Sequence, residues 1–492
     1  MSFIQKRLFL TPLLFISFLI SCAPEKPRKE VELYNTYCAS CHIAPKIDEL
    51  PKDIWKNAVL PDMASRMEIE EMYQDTNEIK SGFRPKIKLK EWVQIQNYVI
   101  QMAPEKLDSN KIPKLEPLTL FKSKEMALDE QNGAFITYLG FAKNKTELFY
   151  GDISGKLNLY NFKDNSQQNI FSGKTPITWY SINDSLEVFT EVGILDPSEL
   201  QRGKLTMKKK DTFALQNNFY RPVHTLLEDL NGNNKKELVV SEFGDETGRL
   251  SLLTQTDSMT YDKTVLINLP GCIRTLAKDM DKDGKTDLVT ITSQGNESIT
   301  ILYQTQDLKF RAEKVLEFSP VYGTSWFELV DYNGDGLDDI ITVNGDNADK
   351  SYVHKPYHGM RIHLNNGDNT FTESYFYPLN GATRVVARDF DQDGDMDFGL
   401  ISTFPDYENA PELSFVYLEN NDAKNFKFST QTLKEHKAGR WFLMDTSDID
   451  NDGDEDIVLS AFSYVFTPVP EAYSKQWSEN NVDILVLENK LK

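Results

Sequence analysis

The chain has 492 residues and a formal net charge of −21. So acidic a chain lacks the basic surface that nucleic-acid phosphates demand and is not built to adsorb to anionic lipid head groups. Its length allows two or more domains with sizeable cores, whereas its four cysteines cannot supply a disulfide framework for a body of this size.

In chain order, Lys6 and Arg7 precede an uncharged run from Leu8 to Ile20, the layout of a secretory signal over residues 1–21. The run falls short of the about 20 apolar residues that span a bilayer. It ends in Leu19-Ile20-Ser21-Cys22, which resembles a bacterial lipobox. The resemblance implies cleavage before Cys22 and a lipid on its thiol, with 22–29 as the tether. No other segment reads as transmembrane, so the expected location is the bacterial cell envelope. The body would be anchored to one leaflet and face the periplasm or the cell surface.

Residues 30–103 read as a small all-α domain. Glu30 to Tyr37 leads into Cys38-Ala39-Ser40-Cys41-His42, the C-x-x-C-H pattern of covalent c-type haem attachment. Two thiols three positions apart reach both vinyl groups of one porphyrin, and the adjacent imidazole becomes the proximal iron ligand. A zinc half-site would need a second ligand pair, and a redox pair a βαβ setting; neither is visible. For the second axial position, Met63 follows Leu60-Pro61, read as a turn, and Met67 is its competitor one helical turn on. Leu89 to Met102 forms an apolar-striped closing helix. One such motif implies one haem. The stretch Y-C-A-S-C-H-I-A-P with W-K-N-A-V-L-P-D-M-A resembles small cytochrome c domains attached to repeat proteins.

A Pro- and Lys-rich linker over 104–118 leads to a β-rich region, 119–492, of short apolar runs and Asp/Asn/Gly turns. Four loops there fit D-x-[DN]-x-D-G-x-x-D. Their ligand positions are Asp279, Asp281, Asp283 and Asp287; Asp331, Asn333, Asp335 and Asp339; Asp389, Asp391, Asp393 and Asp397; and Asp448, Asp450, Asp452 and Asp456. A degenerate copy carries Asp229, Asn231, Asn233 and Glu237. Hard oxygen donors at alternate positions of a tight turn suit Ca²⁺, giving four expected ions and a fifth at the degenerate loop if it binds. Position twelve lacks the EF-hand Glu, and strand-like segments follow, so these are loops between strands.

The loops start 50, 52, 58 and 59 residues apart, a propeller-like period. Two further β-rich units, near 134–165 and 172–215, bring the blade count to seven. The expected fold is mainly β, a seven-bladed β-propeller with calcium-binding loops behind a small all-α cytochrome c domain. The loop pattern resembles the FG-GAP/VCBS repeats of integrin-like β-propellers, over roughly residues 120 to 490.

Cys272, at the start of an apparent strand, reads as a buried structural thiol. An insertion from Asn344 to His358, followed by Arg361 and His363, reads as a solvent-exposed decorated loop in blade five, with a ligand pocket or electron-relay surface as its functional alternative. Tyr407, Arg440 and Trp441 are weaker candidates of the same kind. No G-x-S-x-G, P-loop or H-E-x-x-H motif occurs, and no catalytic residue can be named. The leading expectation is a lipid-anchored mono-haem electron-transfer protein whose calcium-stabilised propeller binds a partner or ligand. The alternatives are a propeller oxidoreductase passing electrons from a small molecule to the haem, and a glycan- or protein-binding adhesion module with a redox-sensing haem. The redox partner is not identified by the sequence.

Overall fold

The computed structural model describes residues 29–67, 69, 87–183, 186–257, 259–348, 352–464 and 467–491. The leader and Cys22 lie outside these described residues. No helix among the described residues is long and apolar enough to cross a membrane.

The N-terminal helices form a small body with its own core. Helix α1 spans Lys29–Cys38. A second helical stretch begins as α2, Lys52–Ile54, passes through a π turn at Trp55–Val59, and continues as α3, Leu60–Arg66. Leu60-Pro61 is therefore not the turn expected from the sequence. Pro61 opens α3, where its missing N–H costs little, and the widened turn just before it absorbs the change in bonding register. Helix α4, Leu89–Met102, buries Trp92, Ile95 and Val99 along one stripe. These pack with Leu33, Tyr34, Leu50, Trp55 and Leu60.

From residue 136 onward the strands form seven blades, each an antiparallel meander, six of four strands and a last one of three. Blade 1 covers 136–172, blade 2 177–219, blade 3 222–267, blade 4 272–317, blade 5 324–378, blade 6 382–432 and blade 7 441–489. The first strands of successive blades contact one another around the ring. Each first strand carries a bulge after its opening residue, between Ile136/Tyr138 in blade 1 and Trp441/Leu443 in blade 7, for example. The extra residue turns a side chain toward the next blade. Thr137 Oγ1 donates to Ile177 O at 2.6 Å and Thr178 Oγ1 to Pro222 O at 2.8 Å.

Blades packed face to face leave their second strands dry on both sides. Asp287–Thr292, Asp339–Asn344, Asp397–Ser402 and Asp456–Ala461 are buried throughout. The ring is closed by a strand from before blade 1. Phe121–Met126 pairs antiparallel with Ile484–Asn489, so chain start and chain end share blade 7. Just upstream, Leu115–Pro117 adds in parallel to the outer strand of blade 6, so part of the expected linker is sheet. Closure keeps the inner edge of each blade short and protected within the ring.

Candidate functional site

Two groups of candidate residues occupy opposite ends of the propeller. In blades 3 to 7 the acidic loop joins the first strand to the second. All five loops therefore emerge at one end. The turns between second and third strands, and the connections between blades, emerge at the other, which is where the helical body sits.

At the loop end, the carboxylates at positions one, three and five converge in three blades. Asp279, Asp281 and Asp283 each offer an oxygen within 4.8 Å of the others, as do Asp389, Asp391 and Asp393, and Asp448, Asp450 and Asp452. Their loops nevertheless differ. In blade 4 both oxygens of Asp279 accept backbone amides, from Asp283 at 3.1 Å and Gly284 at 2.9 Å. Asp331 in blade 5 does the same with Asp335 and Gly336, and Asn333 donates to Asp335 at 3.0 Å. Asp229 in blade 3 follows suit with Asn233 and Asn234, while Asn231 donates to Asp307 at 2.7 Å. In blades 6 and 7, by contrast, Oδ1 of Asp389, Asp395 and Asp448 is buried with no hydrogen-bond partner. A buried carboxylate oxygen without a donor is costly, and a hard cation is its natural partner.

The ninth position has a role that pattern matching missed. Asp287 accepts from Met280 N at 2.9 Å and from Gln304 N at 2.8 Å. Asp339, Asp397 and Asp456 repeat this clamp between the loop and the third strand. Glu237 keeps the first half of it, accepting from Leu230 N at 3.0 Å. Burial pushes Asp397 and Asp456 up to about 7 and raises Asp287, Asp339 and Glu237 as well. The ninth residue thus fixes the loop's orientation whether or not a cation is bound.

At the other end, Cys38 closes α1 and Cys41 and His42 follow in an exposed turn. Neither thiol is in a disulfide, and burial pushes the Cys38 thiol up to about 12. His42 Nδ1 lies 2.8 Å from Ile43 O. With the ring N–H donated there, Nε2 keeps its lone pair for a metal. A cavity of about 380 Å³ is lined by Thr36, Tyr37, Ser40, Cys41 and Met67. Of the two methionines, then, Met67 borders the space beside Cys41. Met63, one turn earlier on α3, does not line that cavity; both side chains pack in the helical core, Met67 the more deeply buried.

The helical body is seated on blades 3 to 5. A Cβ added to Gly295, in the turn of blade 4, would lie 3.7 Å from Cδ2 of His42. Ser319 donates to Glu49 Oε2 and Tyr357 to Glu49 O, both at 2.7 Å. Val321 is buried in the helical core, and Arg66 pairs with Glu246 at 3.3 Å. The insertion of blade 5 is therefore not the exposed decoration its composition suggests. Tyr357 stacks on Tyr322 at 4.8 Å, and Lys355, His358, Arg361 and His363 are buried. Burial holds His358 and His363 well below the usual imidazole range, so both are neutral. Arg440, also buried, donates to Thr467 Oγ1 at 2.5 Å. Trp441 is core, and Tyr407 donates to Thr403 O at 3.0 Å. Cys272 is fully buried as expected.

Residues 279–342 match the family described as FG-GAP-like repeat. This FG-GAP-like repeat runs from the loop of blade 4 into the second strand of blade 5, across the first two of the four full acidic loops. No curated protein matches the chain. Solved structures similar to it include the β-propeller domain of Myceliophteria thermophila Cps50 (Swd1), at 10% identity and a TM-score of 0.44. That match covers 68% of this chain and 96% of the other. Another is the N-terminal domain of Nup159, at 12% identity and a TM-score of 0.39, covering 76% and 96% respectively.

Proposed function

We propose that this chain is a mono-haem c-type electron-transfer protein of the bacterial cell envelope, anchored by a lipid on Cys22. Its calcium-stiffened, FG-GAP-like propeller serves as the binding module for a redox partner. The observation that carries the reading is His42. It directly follows a C-x-x-C pair, its Nδ1 is occupied by a backbone carbonyl, and Cys41 beside it borders a cavity shared with Met67.

The residues present fit the group. Cys38 and Cys41 would hold a haem by two thioether bonds, His42 would ligate its iron through Nε2, and Met67, which lines the cavity beside Cys41, would be the candidate for a second, thioether ligand. When bound, haem supplies a one-electron couple, whose potential a thioether raises relative to a second imidazole. The rest of the work falls to the chain. Tyr357, Ser319 and Val321 hold the helical body against the propeller, and Gly295 lies beside the His42 ring. At the far end, calcium in the acidic loops would offset carboxylate repulsion and pin the turns, with blades 6 and 7 as the sites of orphaned oxygens.

The test is expression in a host that attaches haem outside the cytoplasmic membrane, followed by intact-mass analysis and absorption spectroscopy. The reading expects a mass increment of one haem that disappears in a Cys38→Ala/Cys41→Ala variant. It also expects a spectral signature of thioether ligation lost in Met67→Leu and kept in Met63→Leu. An unmodified mass from a competent host would sink it.

A further inference from the structure

The bulge in each first strand presents its next residue to the propeller axis, and in blades 3 to 6 these residues meet. His224, Arg274, Trp326 and Arg384 occupy equivalent register positions in four consecutive blades. The guanidinium of Arg274 lies 4.2 Å from the Trp326 ring centre and that of Arg384 lies 4.4 Å from it. Two cations on one indole repel each other, and the local acid offsets only one of them. Glu328 accepts from Arg274 Nη1 at 2.8 Å and from Trp326 Nε1 at 3.0 Å.

Arg384 is left without such a partner. Its one recorded hydrogen bond runs to the adjacent carbonyl of Thr383 at 2.8 Å, and among the described residues it makes no ion pair. Burial and the neighbouring Arg274 push it down to about 10, while Asp346 attracts it from beyond pairing distance. His224, pushed down to about 3 by burial and Arg274, is neutral and adds no third charge. Nε of Arg274 is buried with no partner. Two guanidinium groups on one ring, only one of them ion-paired, stand out in a chain of net charge −21. Desolvated guanidinium groups with unused N–H donors are what a bidentate oxyanion requires. Trp326 and Arg384 also stay partly accessible, so the place is not sealed.

We propose that the axis of the propeller at blades 4 to 6 binds a small oxyanion, a carboxylate or a phosphoryl group, through Arg384 and Arg274 beside Trp326. The bound anion would neutralise the charge that Glu328 leaves over, and its class is set by the forked donors.

The experiment is isothermal titration calorimetry of the whole chain with acetate and, separately, inorganic phosphate in chloride buffer. Saturable binding of either is expected, and the one that binds more tightly names the group. Arg384→Met keeps the apolar stem and should weaken binding roughly 10- to 100-fold, the worth of a charged hydrogen bond. Arg384→Lys keeps the charge without the fork and should retain part of the affinity. If Arg384→Met does not fold, as judged by its thermal transition, Arg384→Lys decides: a several-fold loss supports the site. No saturable binding of either anion, or wild-type affinity in the folded variants, overturns the proposal.

Discussion

Replacing Tyr357 with Ala tests how the helical body is held to the propeller. The ring stacks on Tyr322 at 4.8 Å with 19° between planes, and its hydroxyl donates to Glu49 O at 2.7 Å. An aromatic pair of this kind contributes about 0.5–1.5 kcal/mol, and a neutral hydrogen bond about the same. Their loss should weaken docking by roughly 1–3 kcal/mol, about a 5- to 150-fold rise in the undocked population. Tyr357→Phe removes only the hydrogen bond and should account for up to half of that free energy. The assay is native-state hydrogen exchange at amides bonded within the contact, such as Glu49 N to Lys46 O and Tyr322 N to Ser319 O. When such amides exchange through undocking, their rates follow the open population. Protection there should fall by the stated factors in Tyr357→Ala while the strands of blade 1 remain unchanged. Equal loss across all blades, or less than a twofold change at the contact, would refute the docking role.

Three further outcomes are expected. Phe121→Ala removes a buried ring set edge-on to Phe390 and Tyr417 at 5.6 Å each, in the strand that closes blade 7. It should cost about 3–5 kcal/mol, with exchange rising first at Ile484–Asn489; a loss below 1 kcal/mol in denaturant unfolding would show that this strand does not hold the ring. Burial raises Glu297 to about 7 although it accepts from Thr324 and Gly323. Its stabilising contribution is therefore complete below the unfolded value of about 4.3 and is lost as pH rises through about 7, an effect of up to roughly 3 kcal/mol. The thermal midpoint of Glu297→Gln should fall less steeply with pH than that of the wild type, the remaining slope coming from Asp397 and Asp456, which titrate in the same range; parallel curves contradict the assignment. Chelation with EDTA should lower the thermal midpoint and added calcium should restore it, since ligand at 100 times its Kd contributes about 2.7 kcal/mol per site. Asp448→Ala should lose part of the response, and a midpoint indifferent to both additions would argue against cations in the loops.

The repeated Asp/Gly loops identified the propeller and its period from sequence because their chemistry is local. Each needs alternate oxygen donors and a left-handed Gly within nine residues, as at Gly284, where φ is +86°. Blades 1 and 2 lack those loops and were legible only as β-rich segments. The C-x-x-C-H pattern and the Leu89–Met102 helix were local in the same sense. What the chain could not announce was anything set by distant partners. Phe121–Met126 pairs with residues more than 350 positions away and belongs to the last blade rather than the first. Tyr357, His358 and Arg361 have the composition of an exposed loop, yet His358 and Arg361 are buried and Tyr357 packs against the helical body. The convergence of Arg274, Trp326 and Arg384 depends on ring closure and on a bulge repeated in every blade. Local turn chemistry is written in consecutive residues, whereas docking, closure and an axial site arise from packing across the ring, which leaves no periodic trace in the sequence.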